Sequence, residues 1–127
     1  MKKIQFTIGI VPRTKKNSQQ IIMCNGRPMI IPSKAYKAYE KECRYYMPKI
    51  DTIKEPVNIQ AVYYMPTRRR VDLCNLHEAL CDALVRHGVI ADDNFKIVAS
   101  MDGSRVKYDK DNPRTEVTIT KFEEEVK

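Results

Sequence analysis

Several things are missing from this chain, and each absence narrows what it can be. Its four cysteines, Cys24, Cys43, Cys74 and Cys81, form no Cys-x-x-Cys pair, which argues against a structural zinc ribbon or finger. No window approaches the ~18 consecutive apolar residues of a membrane span. Lys2-Lys3 precede only a brief apolar run, broken by Gln5 and Thr7 and closed by Pro12; that run is too short and too polar for a secretory signal. Repeats, linkers and low-complexity stretches are absent as well. These features predict a cytoplasmic protein with reduced thiols and one compact domain over residues 1–127.

Acidic residues are scarce in the first part of the chain. Residues 1–70 carry 15 Lys/Arg against 4 Asp/Glu, whereas residues 71–127 carry 8 against 12, within a net charge of +7. With 43% hydrophobic and 31% charged residues, the composition is that of a globular protein. Its basic excess, concentrated upstream of the acids, points to a polyanionic partner, most commonly nucleic acid; the alternative is a basic surface with no partner.

Hydrophobic periodicity predicts the elements. Residues 3–11 alternate Ile4, Phe6, Ile8 and Ile10 with polar positions, the period of a strand. Asn25-Gly26 joins two short apolar runs as a hairpin turn, and Pro28 places the second arm at a sheet edge. Ser33 is a candidate N-cap for a helix that stacks Tyr36, Tyr39, Cys43 and Tyr46 on one face and stops at Pro48. That stripe reads as core rather than as a platform for bases. Val57, Ile59, Ala61, Tyr63 and Met65 define a central strand. A second helix over 74–87 buries Leu73, Leu76, Leu80, Ala83 and Leu84, with Gly88 just past its end. Strands follow at 96–101 and 106–108, interrupted near Asp102-Gly103, and at 115–122. The predicted class is α+β, a mixed sheet with two helices packed on it.

The chemistry concentrates between Arg68 and Asn94. Arg68, Arg69 and Arg70 precede Asp72, which stands between a strand and a helix; Asp92 and Asp93 follow that helix. Strand, helix and strand would bring these acids to one end of the sheet. Carboxylates on rigid elements suit Mg²⁺, with Mn²⁺ as a substitute, and such a cation polarises a phosphodiester and lowers the pKa of an attacking water. The arginines would hold the phosphate backbone. Lys15 and Lys16 could join them, or belong to a solvated loop. Acid pairs in turns are also commonly caps or solvated residues. Asn75 is a candidate helix cap, His87 suits the negative end of the helix dipole, and Asp82 inside the helix requires a partner. Cys74, His77 and Cys81, at helical spacings of three and four, could hold zinc; the plainer expectation is that Cys81 packs in the core and His77 is solvated.

At these residues the sequence resembles the RusA family of Holliday-junction resolvases. The family carries a Met-Pro-x-Arg-Arg-Arg run, then Asp-Leu-Asp-Asn-Leu, Asp-Ala-Leu, and Gly followed by Asp-Asp. Here stand Met65-Pro66-Thr67-Arg68-Arg69-Arg70, Asp72-Leu73-Cys74-Asn75-Leu76, Asp82-Ala83-Leu84, and Gly88 with Asp92-Asp93. The early Pro12-Arg13-Thr14-Lys15-Lys16-Asn17 and late Thr118-Ile119-Thr120 are similar too. The resemblance implies a RusA-like fold and a homodimeric, Mg²⁺-dependent endonuclease acting on branched DNA, often prophage-encoded. It carries the first metal-binding aspartate onto Asp72 and the acid after the helix onto Asp93, with Asp92 beside it.

Two positions depart from the family pattern. Its second aspartate falls on Cys74, a soft ligand poorly suited to Mg²⁺, and a lysine four residues on falls on Glu78. Cys74 and Glu78 share a helix face, so Glu78 is a candidate replacement carboxylate; the alternative is an ordinary exposed glutamate. The expected metal set is Asp72, Glu78 and Asp93, with Asp92 auxiliary. Three functions are therefore in contention: a structure-selective DNA endonuclease, a branched-DNA binder that lost catalysis at Cys74, and a basic RNA-binding module.

Overall fold

The computed structural model describes residues 1–15 and 19–123. Its strands are β1 (Ile4–Ile8), β2 (Gln19–Cys24), β3 (Arg27–Pro32), β4 (Val57–Met65), β5 (Val98–Ser100), β6 (Arg105–Tyr108) and β7 (Arg114–Lys121); its helices are α1 (Lys34–Glu42) and α2 (Leu73–Arg86). A 3₁₀ turn, Cys43–Tyr46, extends α1. This is the α+β class that the periodicity predicts. Among the described residues no helix is long and apolar enough to cross a membrane.

The main sheet runs β1-β7-β4, with β5 and β6 both pairing to the far side of β4. β7 is antiparallel to β1 and β4, whereas β5 and β6 are parallel to β4. A parallel pair needs a crossover connection, and α2 supplies it between β4 and β5. Along β4, Val57, Ile59, Ala61 and Tyr63 are fully buried while the residues between them are half-buried. Both helices therefore press on one face. Their contribution is Tyr36 and Tyr39 from α1 and Leu76, Leu80, Ala83 and Leu84 from α2, packed with Ile8, Val117 and Ile119 of the sheet. The tyrosine stripe is thus core, as its spacing suggests.

The interruption near Asp102-Gly103 separates β5 from β6. Asn58 spans it: its side-chain oxygen accepts from the Asp102 N–H at 2.7 Å and its amide donates to the Asp102 carbonyl at 3.2 Å. Gly103 has φ +86, a conformation that favours glycine; a Cβ there would in addition displace the end of the Gln60 side chain, whose Oε1 would lie 2.7 Å away.

The hairpin departs from expectation. β2 and β3 do pair across Asn25-Gly26, both with positive φ (52 and 77), the geometry of a type I′ turn. They do not join the edge of the main sheet; they form a two-stranded sheet of their own.

Candidate nuclease site

Helix α2 begins at Asp72, whose backbone is extended (φ −90, ψ 127) and whose carbonyl accepts from the Asn75 and Leu76 N–H groups. Asp72, not Asn75, is the N-cap residue. Its carboxylate makes no bond to the helix backbone; it accepts instead from the Asn75 side-chain amide at 3.4 Å. The Asp72 side chain is exposed at the positive end of the helix dipole.

Beyond α2 the chain turns at Gly88 (φ +76) and reaches Asp92 and Asp93. Asp92 organises this loop: one carboxylate oxygen accepts from the Asp93 N–H at 2.7 Å, the other from the Asn94 amide at 3.0 Å. Asp93 is left to point outward. It lines a cavity of about 350 Å³ together with Cys74, His77, Glu78 and Cys81 of α2 and the β5 edge from Val98 to Met101. The structure therefore brings together Cys74 and Glu78, from the first turns of α2, and Asp93, from the loop after it. Asp72 lies outside this cavity, and Asp92 is occupied in its own turn.

Asp82, one turn beyond Glu78 on α2, shares the field of the same acids. Burial pushes its carboxyl above the usual range, the nearby Lys15 pulls it back, and the negative charges of Asp93, Glu78 and Glu40 push it up again. Lys15 Nζ stands 3.7 Å from its carboxylate, so the partner Asp82 requires comes from the N-terminal loop. Lys16 lies outside the described residues. Asp82 was expected to take a partner and a structural role rather than join the site; its four-residue spacing from Glu78 was the available signal.

His77 differs from the solvated residue anticipated. It is 3% exposed, its Nδ1 lies 3.0 Å from the Tyr63 hydroxyl on β4, and its Nε2 is buried without a hydrogen-bond partner. Helical phase held the signal, since His77 follows Leu73 by four residues and precedes Leu80 by three. Burial lowers its pKa to about 4, so the ring is neutral under ordinary conditions. Cys81 is buried as anticipated, and burial together with Asp93 and Asp82 pushes its thiol up to about 12. A neutral thiol is a poor metal ligand.

The acids offer hard oxygen donors of the kind a divalent cation takes, and Asp93 and Glu78 add to the rise that burial gives the Asp82 carboxyl. No three acid, cysteine or histidine side chains converge in the geometry of a metal centre among the described residues, so neither the zinc alternative nor the expected Asp72, Glu78 and Asp93 set is assembled here.

Basic groups lie close in sequence and space. Arg68, Arg69 and Arg70 are exposed. The Arg68 guanidinium sits 4.2 Å over the Tyr108 ring, a contact that orients it. Arg69 and Arg70 share a second cavity of about 350 Å³ with Pro12, Arg13 and Thr14. The N-terminal loop thus adds Arg13, which sequence reasoning had not singled out, to the anticipated arginines.

A mixed sheet with a parallel crossover helix thus carries acids along that helix and in the loop after it, with an arginine-lined groove beside its start. Comparison makes the assignment specific: the profile of the family described as Endodeoxyribonuclease RusA matches residues 10–120. The chain belongs to that family of DNA endonucleases, which act on Holliday junctions. No match was found among curated proteins.

Proposed function

We propose that this chain is a divalent-metal-dependent, structure-selective endonuclease that resolves four-way DNA junctions as a pair of identical subunits in the cytoplasm. The observation that carries this reading is the shared cavity of Glu78 and Asp93, with their charges overlapping on Asp82. Asp93 and Glu78 would hold the cation, Asp72 would approach it from the helix start, and Asp92 would fix the loop that presents Asp93. When bound, the cation supplies Lewis acidity toward the scissile phosphate and a more acidic water. Arg13, Arg69 and Arg70 would grip the backbone on one side, and Arg68 would be held ready by its contact with Tyr108. Lys15 would extend that basic surface toward the acids, and Lys16 is proposed as a DNA contact on sequence grounds alone. A junction has two-fold symmetry, so two subunits would address two opposed strands.

The test is cleavage of a synthetic four-way junction and of linear duplex, with Mg²⁺ or Mn²⁺, by the wild type, Asp93→Asn and Glu78→Gln. Asp93→Asn should abolish junction cutting, and Glu78→Gln should lower it at least tenfold at limiting metal. Full Mg²⁺-dependent cleavage by Glu78→Gln would remove Glu78 from the site.

A second reading rests on Cys74. By the resemblance it stands where the family pattern has a carboxylate, and it lines the acidic cavity. With that ligand lost, the chain would bind branched DNA without cutting it. Tight, salt-sensitive junction binding with no cleavage in either metal would favour this reading.

A further inference from the structure

Phe95 stands two residues beyond Asp93 and, at 80%, is the most exposed large apolar side chain among the described residues. The nuclease reading gives it no role. A single exposed apolar residue is ordinary, but this one belongs to a cavity. Phe95 and Lys96 line a space of about 600 Å³ together with Pro56, Ala99 and Phe122. Two of those side chains are aromatic rings, and the one that carries a charge is a cation.

Backbone hydrogen bonds hold this cavity in shape. Asn94 organises the turn that bears Phe95: its side-chain oxygen accepts from the Lys96 N–H at 2.9 Å, and its carbonyl accepts from the Ile97 and Val98 N–H groups at 3.0 and 2.9 Å. The Ile97 carbonyl accepts from the Val57 N–H at 2.8 Å, and the Pro56 carbonyl from the Phe122 N–H at 3.1 Å. The turn, the start of β4 and the chain just past β7 are thereby tied together. A pocket formed in advance binds without the cost of ordering its walls. It also adjoins the acids. Ala99 lines both this cavity and the one that holds Glu78 and Asp93, and a single loop presents Asp93 to one and Phe95 to the other.

A ligand that reaches both places combines an anionic group that a cation can bridge to the acids with a planar, apolar group for the aromatic rings. A nucleotide of the family's DNA substrate has both. In a continuous duplex each base is covered by its neighbours, and only a base released from the stack offers a face to an aromatic side chain. We propose that this cavity receives an unpaired base of the branched DNA, stacked on Phe95, from a nucleotide flanking the phosphate that faces the acids. Such a pocket makes productive seating depend on a base free to leave the stack, which a branch supplies at lower cost than an intact duplex. The inference rests on the endonuclease reading for its substrate and gives that reading a source of structure selectivity.

The test uses a synthetic four-way junction with 2-aminopurine at one branch-point position at a time, in metal-free buffer, binding being followed by the anisotropy of a separate label. The wild type should raise 2-aminopurine emission at one position, as that base leaves the helical stack. Phe95→Ala should lose the rise and bind the junction about fivefold or more weakly. Its slope of log K against log salt should be unchanged, because no phosphate contact is lost, and its affinity for linear duplex should be that of the wild type. Phe95→Trp should restore both the rise and the affinity. Junction binding with no rise at any position would overturn the proposal and leave the nuclease reading standing. So would a Phe95→Ala variant that matches the wild type, or one that weakens junction and duplex equally. A wild type that binds no junction would overturn the nuclease reading and this inference with it.

Discussion

Replacing His77 should remove a specific acid sensitivity from this protein. The imidazole is 3% exposed, and burial holds its pKa at about 4 against 6.5 for an ordinary histidine. The folded value is the lower one, so the unfolded chain binds more protons between pH 4 and 6.5. This contribution to stability is therefore fully present above pH 6.5 and is lost as pH falls toward 4. At pH 5 the unfolded histidine is almost wholly charged while the folded one remains neutral. About 1.5 pH units at 1.36 kcal/mol each amount to about 2 kcal/mol. The assay is urea unfolding at pH 7.5 and pH 5 in metal-free buffer, comparing the wild type with His77→Gln and His77→Met. Both variants lose the Tyr63 bond as it stands and will differ from wild type at pH 7.5, so the informative quantity is the change between the two pH values. The wild type should lose about 2 kcal/mol more than either variant. Parallel losses in all three proteins would show that His77 accepts a proton in the folded state, and would refute its burial as the cause.

Other expectations follow from the same geometry. Arg70→Ala should weaken junction binding across sequences and reduce the slope of log K against log salt by about 1, the signature of one lost phosphate contact; an unchanged slope in a salt titration would place Arg70 off the DNA. Leu80→Ala should cost about 2–5 kcal/mol, because Leu80 is fully buried between α2 and the sheet and a truncated side chain leaves a cavity; denaturant midpoints read this directly.

Periodicity carried most of the fold. β4 was legible because Val57, Ile59, Ala61 and Tyr63 recur at every second position of a strand buried on one face. The buried side of α2 was legible from Leu76, Leu80, Ala83 and Leu84. Boundaries slipped where the pattern outran the hydrogen bonding: the apolar alternation continues to Ile10, yet β1 ends at Ile8, where its pairing with β7 ends. The hairpin illustrates a harder limit. Asn25-Gly26 determines that two arms pair, a local matter of positive φ. Whether those arms also join a larger sheet depends on which edges are free, and the prolines of β3 bear on that only once the register is known.

For the site, sequence named the acids but not their company. Acids spaced 15 residues apart, Glu78 and Asp93, reach one cavity because α2 returns the chain beside β5, and that depends on a parallel crossover no local pattern encodes. For Asp82 the sequence anticipated a pairing but not its source. As a polar residue in a helix it needs only one partner, and Lys15 supplies it; that pairing, however, places the N-terminal loop against the acidic cluster. If the cation relieves crowding among Asp93, Glu78 and Asp82, the Lys15–Asp82 contact is the competing source of positive charge. The two halves of the charge asymmetry thus meet at the Lys15–Asp82 ion pair.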